Sequence, residues 1–304
     1  MIWTGRFDGD DALALRIFQK VSVENNCNSI AANDFVLHGF AVDEGVKRNM
    51  GRPGAKDAPD IIRKNMANFP VVKPEFSLKD FGNISCTDCN LETTQNELAD
   101  KVEIVLRKGA KSVVLGGGHE VMFAHYSGIK KAFPTKKIGI INIDAHFDNR
   151  KVDPNTGATS GTGFWQIAQE GILNSLHIGI QKNSNTLQLF DTAHELGMKY
   201  MLADEIFFEN LPYIYEKIDL FLAEVDILYL TICMDVFNAA IAPGVSAQAY
   251  NGIMADAAFM HFFGHILKSE KLVALDFAEV NPAFDIGERT ARLAAALANE
   301  WFMA

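Results

Sequence analysis

Asp144, His146 and Asp148 stand at every second position where the apolar run Ile138–Ile143 ends. In extended backbone, side chains at i, i+2 and i+4 leave on one face. Two carboxylates and an imidazole on one face suit Mn, Fe, Zn or Ni, whereas calcium prefers oxygen alone. Cys233 and Asp235 repeat this spacing at the end of a second apolar run, Val225–Met234. His119 follows the triplet Gly116–Gly118, and Glu279 follows Leu272–Asp276. So many ligand types at strand ends fit two metal ions about 3.5–4 Å apart that share a water and lower its pKa toward about 7. Such a site hydrolyses carbon centres that neutral water attacks poorly.

Those side chains converge only if their strands end together. Phe35–Val42, Ser112–Leu115, Ile138–Ile143, Ser175–Ile180, Lys199–Leu202, Val225–Met234 and Leu272–Leu275 read as strands. Most are continuous apolar runs, the pattern of strands covered on both faces. Helical periodicity falls between them: from Ala58, with Pro59 in the first turn, and over Thr93–Lys108, Glu120–Phe133, Phe164–Gln169, Leu187–Leu196, Met254–Ser269 and Gly287–Phe302. Thr93 or Thr94 is the expected cap of the second of these. Asp204–Leu222 is helical with an interruption near Pro212. Leu13, Ile17, Phe18 and Val21 predict an amphipathic helix over Asp11–Val21, and residues 70–90 read as irregular. Alternating strands and helices predict an α/β fold, a three-layer α-β-α arrangement around a mainly parallel sheet. No linker or repeat divides the chain, so residues 1–304 are read as one domain. In a parallel sheet all the strand ends above lie on one edge, where ligands of open α/β sheets sit.

The glycines before His119 permit a sharp turn and close backbone approach. Neither G-x-G-x-x-G nor G-K-[ST] is present, which excludes the usual dinucleotide and phosphate loops. The turn-rich loop Asp43–Ala55, with its basic residues, is either a candidate wall for an anionic group or simply a surface loop. Lys151–Thr162 is a long loop of the functional kind. His261 and His265, four apart on a helix, lack the H-E-x-x-H context and read as ordinary helix residues. Cys86 and Cys89 form a lone C-x-x-C and read as loop thiols.

Of 304 residues, 48% are hydrophobic and 22% charged, enough for a sizeable core. The net charge of −10, with no basic block, argues against nucleic acid or an anionic membrane as partner. The start, Met1–Asp10, has no apolar signal region, and no stretch reaches the roughly 20 apolar residues of a membrane span. With four cysteines, a reducing cytoplasm is the expected setting.

Gly116-Gly-Gly-His119, Asp144-Ala-His-Phe-Asp148, Thr231–Gly244, Asp276-x-x-Glu279-Val-Asn-Pro and Thr290-Ala-Arg-Leu-Ala together resemble the ureohydrolase superfamily of arginases and agmatinases over nearly the whole chain. Within it the chain is similar to the formimidoylglutamase branch. The branch features are Trp3-x-Gly-Arg6, the segment Gly39–Ala55, Phe147 with Arg150, and Ser160-Gly-Thr-x-Phe164. Arginases carry a histidine where Phe164 stands, and agmatinases carry one at Ser160.

The resemblance implies hydrolysis of N-formimidoyl-L-glutamate to L-glutamate and formamide. It implies Mn2+, two per subunit: one held by His119, Asp144, Asp148 and Cys233, the other by Asp144, His146, Asp235 and Cys233. Asp148 would move protons, Glu279 would hold the amidinium, and Arg150, Asn183 and Asn185 would bind the amino-acid end. A homotrimer or hexamer is implied as well. Cys233 departs from the aspartate usual in the family, and Asn238-Ala239 from its Asp-Pro. A thiolate favours Zn over Mn, so a single tightly held ion is an alternative, as is removal of the ligand by a disulfide with Cys27. The alternative functions are another amidino- or guanidino-acid hydrolase, or a metal-poor homologue without catalysis.

Overall fold

The computed structural model describes residues 2–73 and 75–304. Its frame is one nine-stranded sheet in which every pairing is parallel. The strands in chain order are β1 (Val21–Val23), β2 (Phe35–Ala41), β3 (Leu78–Ser85), β4 (Lys111–Leu115), β5 (Ile138–Ile143), β6 (Ser175–Ile180), β7 (Lys199–Leu202), β8 (Ile227–Cys233) and β9 (Leu272–Ala278). Across the sheet they run β1-β3-β2-β4-β9-β8-β5-β6-β7. The predicted α/β sandwich is therefore observed.

Strand side chains alternate between two cores. Val113, Leu115, Ile141, Ile143, Leu230, Ile232, Leu275 and Phe277 face one. The helices on that side are α3 (Ala58–Met66), α8 (Leu211–Ala223), α9 (Ala257–Leu267) and α10 (Arg289–Met303). Val114, Ile138, Ile140, Tyr229, Ala274 and Ala278 face the other, under α4 (Leu91–Arg107), α5 (Val121–Ala132), α6 (Gly163–Gln169) and α7 (Leu187–Glu195). Both faces of the central strands are apolar because both are buried. Among the described residues no helix is long and apolar enough to cross a membrane.

Four expectations are corrected. The helix expected over Asp11–Val21 shrinks to α1 (Ile17–Lys20), and the next short helix, α2 (Glu44–Arg48), follows β2. Leu15 and Ile17 instead pair with the segment ahead of β3, where Val71 N donates to Leu15 O and Ile17 N to Phe69 O. Residues 70–90, read as irregular, contain β3, and β1 pairs with it. Polar Lys79, Asp80 and Asn83 hid this strand; Asp80 is buried, bonded by Arg63 Nη2 at 2.8 Å and Trp3 Nε1 at 2.7 Å. α4 starts two residues earlier than expected, because Asn90 Oδ1 accepts from Thr93 N. Pro212 opens α8 rather than interrupting it, since a first-turn proline has no bond to lose.

Candidate active site

β4, β9, β8 and β5 are neighbours in the sheet, and each delivers chemistry at its carboxyl end. His119 follows β4, Glu279 follows β9, Cys233 closes β8 with Asp235 just beyond, and Asp144, His146 and Asp148 follow β5. Glycine makes the first junction possible. A Cβ on Gly117 would lie 1.6 Å from Val42 O, so the chain after β4 passes against the β2 backbone as only glycine can. Asp148 and Glu279 both take positive φ, +46° and +66°. Non-glycine residues rarely do so, and such positions cluster at functional sites.

His119 Nδ1 lies 3.0 Å from Asp144 Oδ2 and 2.8 Å from Asp148 Oδ2. His146 Nδ1 lies 3.5 Å from Asp144 Oδ1 and 3.2 Å from Asp235 Oδ2. Two groups each bring one ligand atom per residue within 4.8 Å of the others in the group: His119, Asp144 and Cys233, and Asp144, His146 and Asp235. His119, Asp144 and Cys233 are essentially inaccessible, whereas His146 and Asp148 keep part of their surface open to the cavity. The cavity measures about 360 Å³ and is also lined by Arg150, Glu279, Ser160, Ser184 and Ser246.

The electrostatics are those of crowded carboxylates. Burial alone would raise the Asp144 carboxyl, but hydrogen bonds from His119 and His146 hold it well below its ordinary value. Burial would lower both imidazoles, yet the surrounding carboxylates push His119 and His146 well up. Burial pushes Glu279 up, helped by Asp235 and Glu120. Burial and the charges of Asp144, Asp235, Glu279 and Asp148 push the Cys233 thiol up.

Asp235 Oδ1 and Glu279 Oε2 are buried without a hydrogen-bond partner among the described residues. Native proteins rarely leave such atoms unsatisfied. A divalent cation beside Asp235, and a cationic ligand beside Glu279, would satisfy both. The mixed nitrogen, oxygen and sulfur donors fit a transition-metal ion rather than calcium.

Arg150 lines the cavity, and its guanidinium has no partner among the described residues; its backbone N donates to Gly161 O at 3.0 Å. The other two expected substrate contacts are placed elsewhere. Asn183 lines a separate cavity beside Lys182 and Asp204. Asn185 is buried, donating to Ala145 O and Gln181 O and accepting from Phe147 N, so its side chain holds the Asp144–Asp148 loop in place. Ser184, between them, does reach the cavity. Sequence reasoning missed it, as it missed Ser246 and Leu189, because single serines and leucines carry no spacing signal. Of the two readings of its loop, the segment Asn49–Arg52 takes that of a cavity wall, but Arg52 is engaged with Val245 O and Ser246 O.

The four cysteines are free. Cys27 packs with Val36 and Ala110 near the amino ends of the strands, opposite the edge that carries Cys233, which removes the suggested disulfide. His265 Nε2 lies 2.6 Å from Asp219 Oδ1 and His261 meets the Phe208 ring edge-on, so each ring is engaged by its own neighbour.

The arginase family's sequence profile matches residues 33–304. A formimidoylglutamase of Staphylococcus carnosus is 41% identical over 97% of this chain and 95% of its own length. In structure the chain is similar to formimidoylglutamase from Bacillus subtilis, with a TM-score of 0.86 at 20% identity over 95% of this chain and 91% of that one. It is also similar to Trypanosoma cruzi formiminoglutamase solved with Mn2+, at TM-score 0.81 and 25% identity, over 89% of this chain and 93% of that one.

Proposed function

The chain belongs to the arginase family, and we propose that it hydrolyses N-formimidoyl-L-glutamate to L-glutamate and formamide with Mn2+ as cofactor. The observation that carries this reading is a cavity with an unpaired guanidinium, Arg150, and a buried carboxylate with an unsatisfied oxygen, Glu279, on its walls. A substrate with an amidinium at one end and a carboxylate at the other answers both. Arginine and agmatine answer Arg150 less well: the first places an ammonium beside its carboxylate, and the second has no carboxylate.

His119, Asp144, Asp148 and Cys233 would hold one ion, and Asp144, His146, Asp235 and Cys233 a second. Bound there, Mn2+ supplies Lewis acidity and lowers the pKa of a water. Glu279 accepts hydrogen bonds from the amidinium and fixes the formimidoyl carbon in the cavity; a desolvated carboxylate–amidinium pair is strong. Arg150 takes a substrate carboxylate, bidentate where the fork fits. Water adds to the formimidoyl carbon, and Asp148 accepts its proton. The bond from that carbon to the glutamate nitrogen then breaks. Asp148 returns the proton to the departing amine, leaving formamide and glutamate. Asp148 suits this work because it is more exposed to the cavity than Asp235 or Glu279, which also line it.

Proton NMR of the reaction tests the proposal. Formamide and glutamate appearing in equal amounts with Mn2+, and neither after chelation, supports it. Release of urea from a guanidino acid in place of formamide overturns it.

A further inference from the structure

The metal reading above, on which this rests, requires Nδ1 of His119 to present a lone pair to the cation. A neutral imidazole carries one N–H, and the partner of the opposite nitrogen selects which. Here the partner of Nε2 is Thr231 Oγ1, 3.0 Å away. A hydroxyl both donates and accepts, so Thr231 alone selects nothing. Its proton is committed on the other side, however, because Oγ1 lies 2.6 Å from Asp276 Oδ1.

Asp276 is fully buried in β9. Its Oδ2 receives the Tyr229 hydroxyl and, at 2.7 Å, Nδ1 of His125. Ser112 Oγ then stands 2.9 Å from His125 Nε2 and closes the series. Ser112, His125, Tyr229, Thr231 and Asp276 come from β4, α5, β8 and β9, and none has measurable exposure. A carboxylate in such a place is tolerated because three donors surround it. An ionised carboxylate only accepts. Thr231 therefore donates to Asp276 and has only lone pairs left for His119, whose Nε2 must donate.

We propose that Asp276, acting through Thr231, fixes His119 as its Nε2–H tautomer and so aims the Nδ1 lone pair at the Asp144–Asp148 cluster. Thr231 and Asp276 are positioning residues, and His125 and Tyr229 hold the buried carboxylate that sets the direction of the series. Thr231 continues the two-residue spacing of Cys233 and Asp235 back into β8, whereas Tyr229 and Asp276 lie within strands and His125 sits mid-helix.

Calorimetric titration of Mn2+ into the wild-type chain, Thr231→Ser and Thr231→Val tests this, with thermal midpoints measured alongside. Valine keeps the volume but offers His119 no acceptor; serine keeps the hydroxyl. Loss of the group that orients a metal-bound histidine weakens metal binding by about 10–100-fold. That loss is expected in Thr231→Val, with Thr231→Ser close to wild type. Unchanged affinity in Thr231→Val overturns the proposal, and so does an equal loss in both variants. A wild-type chain that takes up no Mn2+ overturns the metal reading and this inference with it. Should Thr231→Val not fold, the nitrogen-15 spectrum of histidine-labelled wild type loaded with Zn2+ decides: a proton on Nε2 of His119 supports the proposal, and one on Nδ1 overturns it.

Discussion

Nδ1 of His119 lies 2.8 Å from Oδ2 of Asp148, although β9 and β8 stand between the strands that deliver the two residues. The glycine turn swings His119 inward over the sheet edge. The positive φ of Asp148 turns its carboxylate back toward the same point. The site is thus assembled by two unusual backbone turns at the ends of ordinary buried strands.

Asp148→Asn keeps the shape of that contact and removes the proton acceptor. Steady-state kinetics on N-formimidoyl-L-glutamate are expected to show kcat lowered about 10²–10⁴-fold, the usual contribution of a general acid–base group. Manganese content, measured on the same samples, separates this from loss of a ligand. A variant that keeps its metal and its kcat removes Asp148 from proton transfer.

Arg150→Ala takes away a cavity-wall guanidinium that has no partner among the described residues. A hydrogen bond to a charged group contributes about 1.5–3 kcal/mol. KM for formimidoylglutamate should therefore rise about 10–100-fold, while hydrolysis of formamidine, which has no carboxylate, stays as it was. Equal effects on both substrates would assign Arg150 to the loop rather than to the ligand.

Cys233 gives the cluster a soft donor. Substituting Co2+ should produce a sulfur-to-cobalt charge-transfer band in the near ultraviolet, and Cys233→Asp should abolish it. In competition between Zn2+ and Mn2+, Cys233→Asp should shift uptake toward Mn2+. An absent band, with cobalt bound, places the thiol outside the ligand set.

His38 lies buried in β2, far from the ligands in sequence. Burial, followed by the nearby charges of Lys101 and Arg63, pushes its imidazole down to about 3. The unfolded chain binds this proton below about pH 6.5 and the folded chain does not, so the unfolded state gains as pH falls. Stability present above that value is therefore lost toward acid, by roughly 1.4 kcal/mol per pH unit between about 6.5 and 3. Denaturant unfolding at pH 7 and pH 5 should show a smaller acid loss in His38→Gln than in wild type. An identical slope would mean the ring is protonated in the fold.

The buried central strands were legible because burial on both faces leaves an apolar run that nothing else in the chain resembles. The ligands were legible because period-two spacing at a strand end survives without tertiary information. β3 was not, since Asp80 is stabilised by Arg63 and Trp3, which lie far away in sequence. Nor was the short helix near the amino terminus, where pairing of Leu15 with Val71 overrides an amphipathic pattern. Asn185 looked like a substrate contact because asparagine suits one; only the fold reveals that its amide is spent on the ligand loop. Thr231 and Asp276 lie inside apolar runs, where a polar residue gives no hint of the partner it meets across the sheet.

The most direct test is kcat/KM for N-formimidoyl-L-glutamate, arginine and agmatine, measured on the wild-type chain with Mn2+ and a thiol reductant. The expected result is turnover of the formimidoyl substrate with the other two far below it. Preference for arginine or agmatine, or no turnover of any of the three with metal bound, would contradict the account.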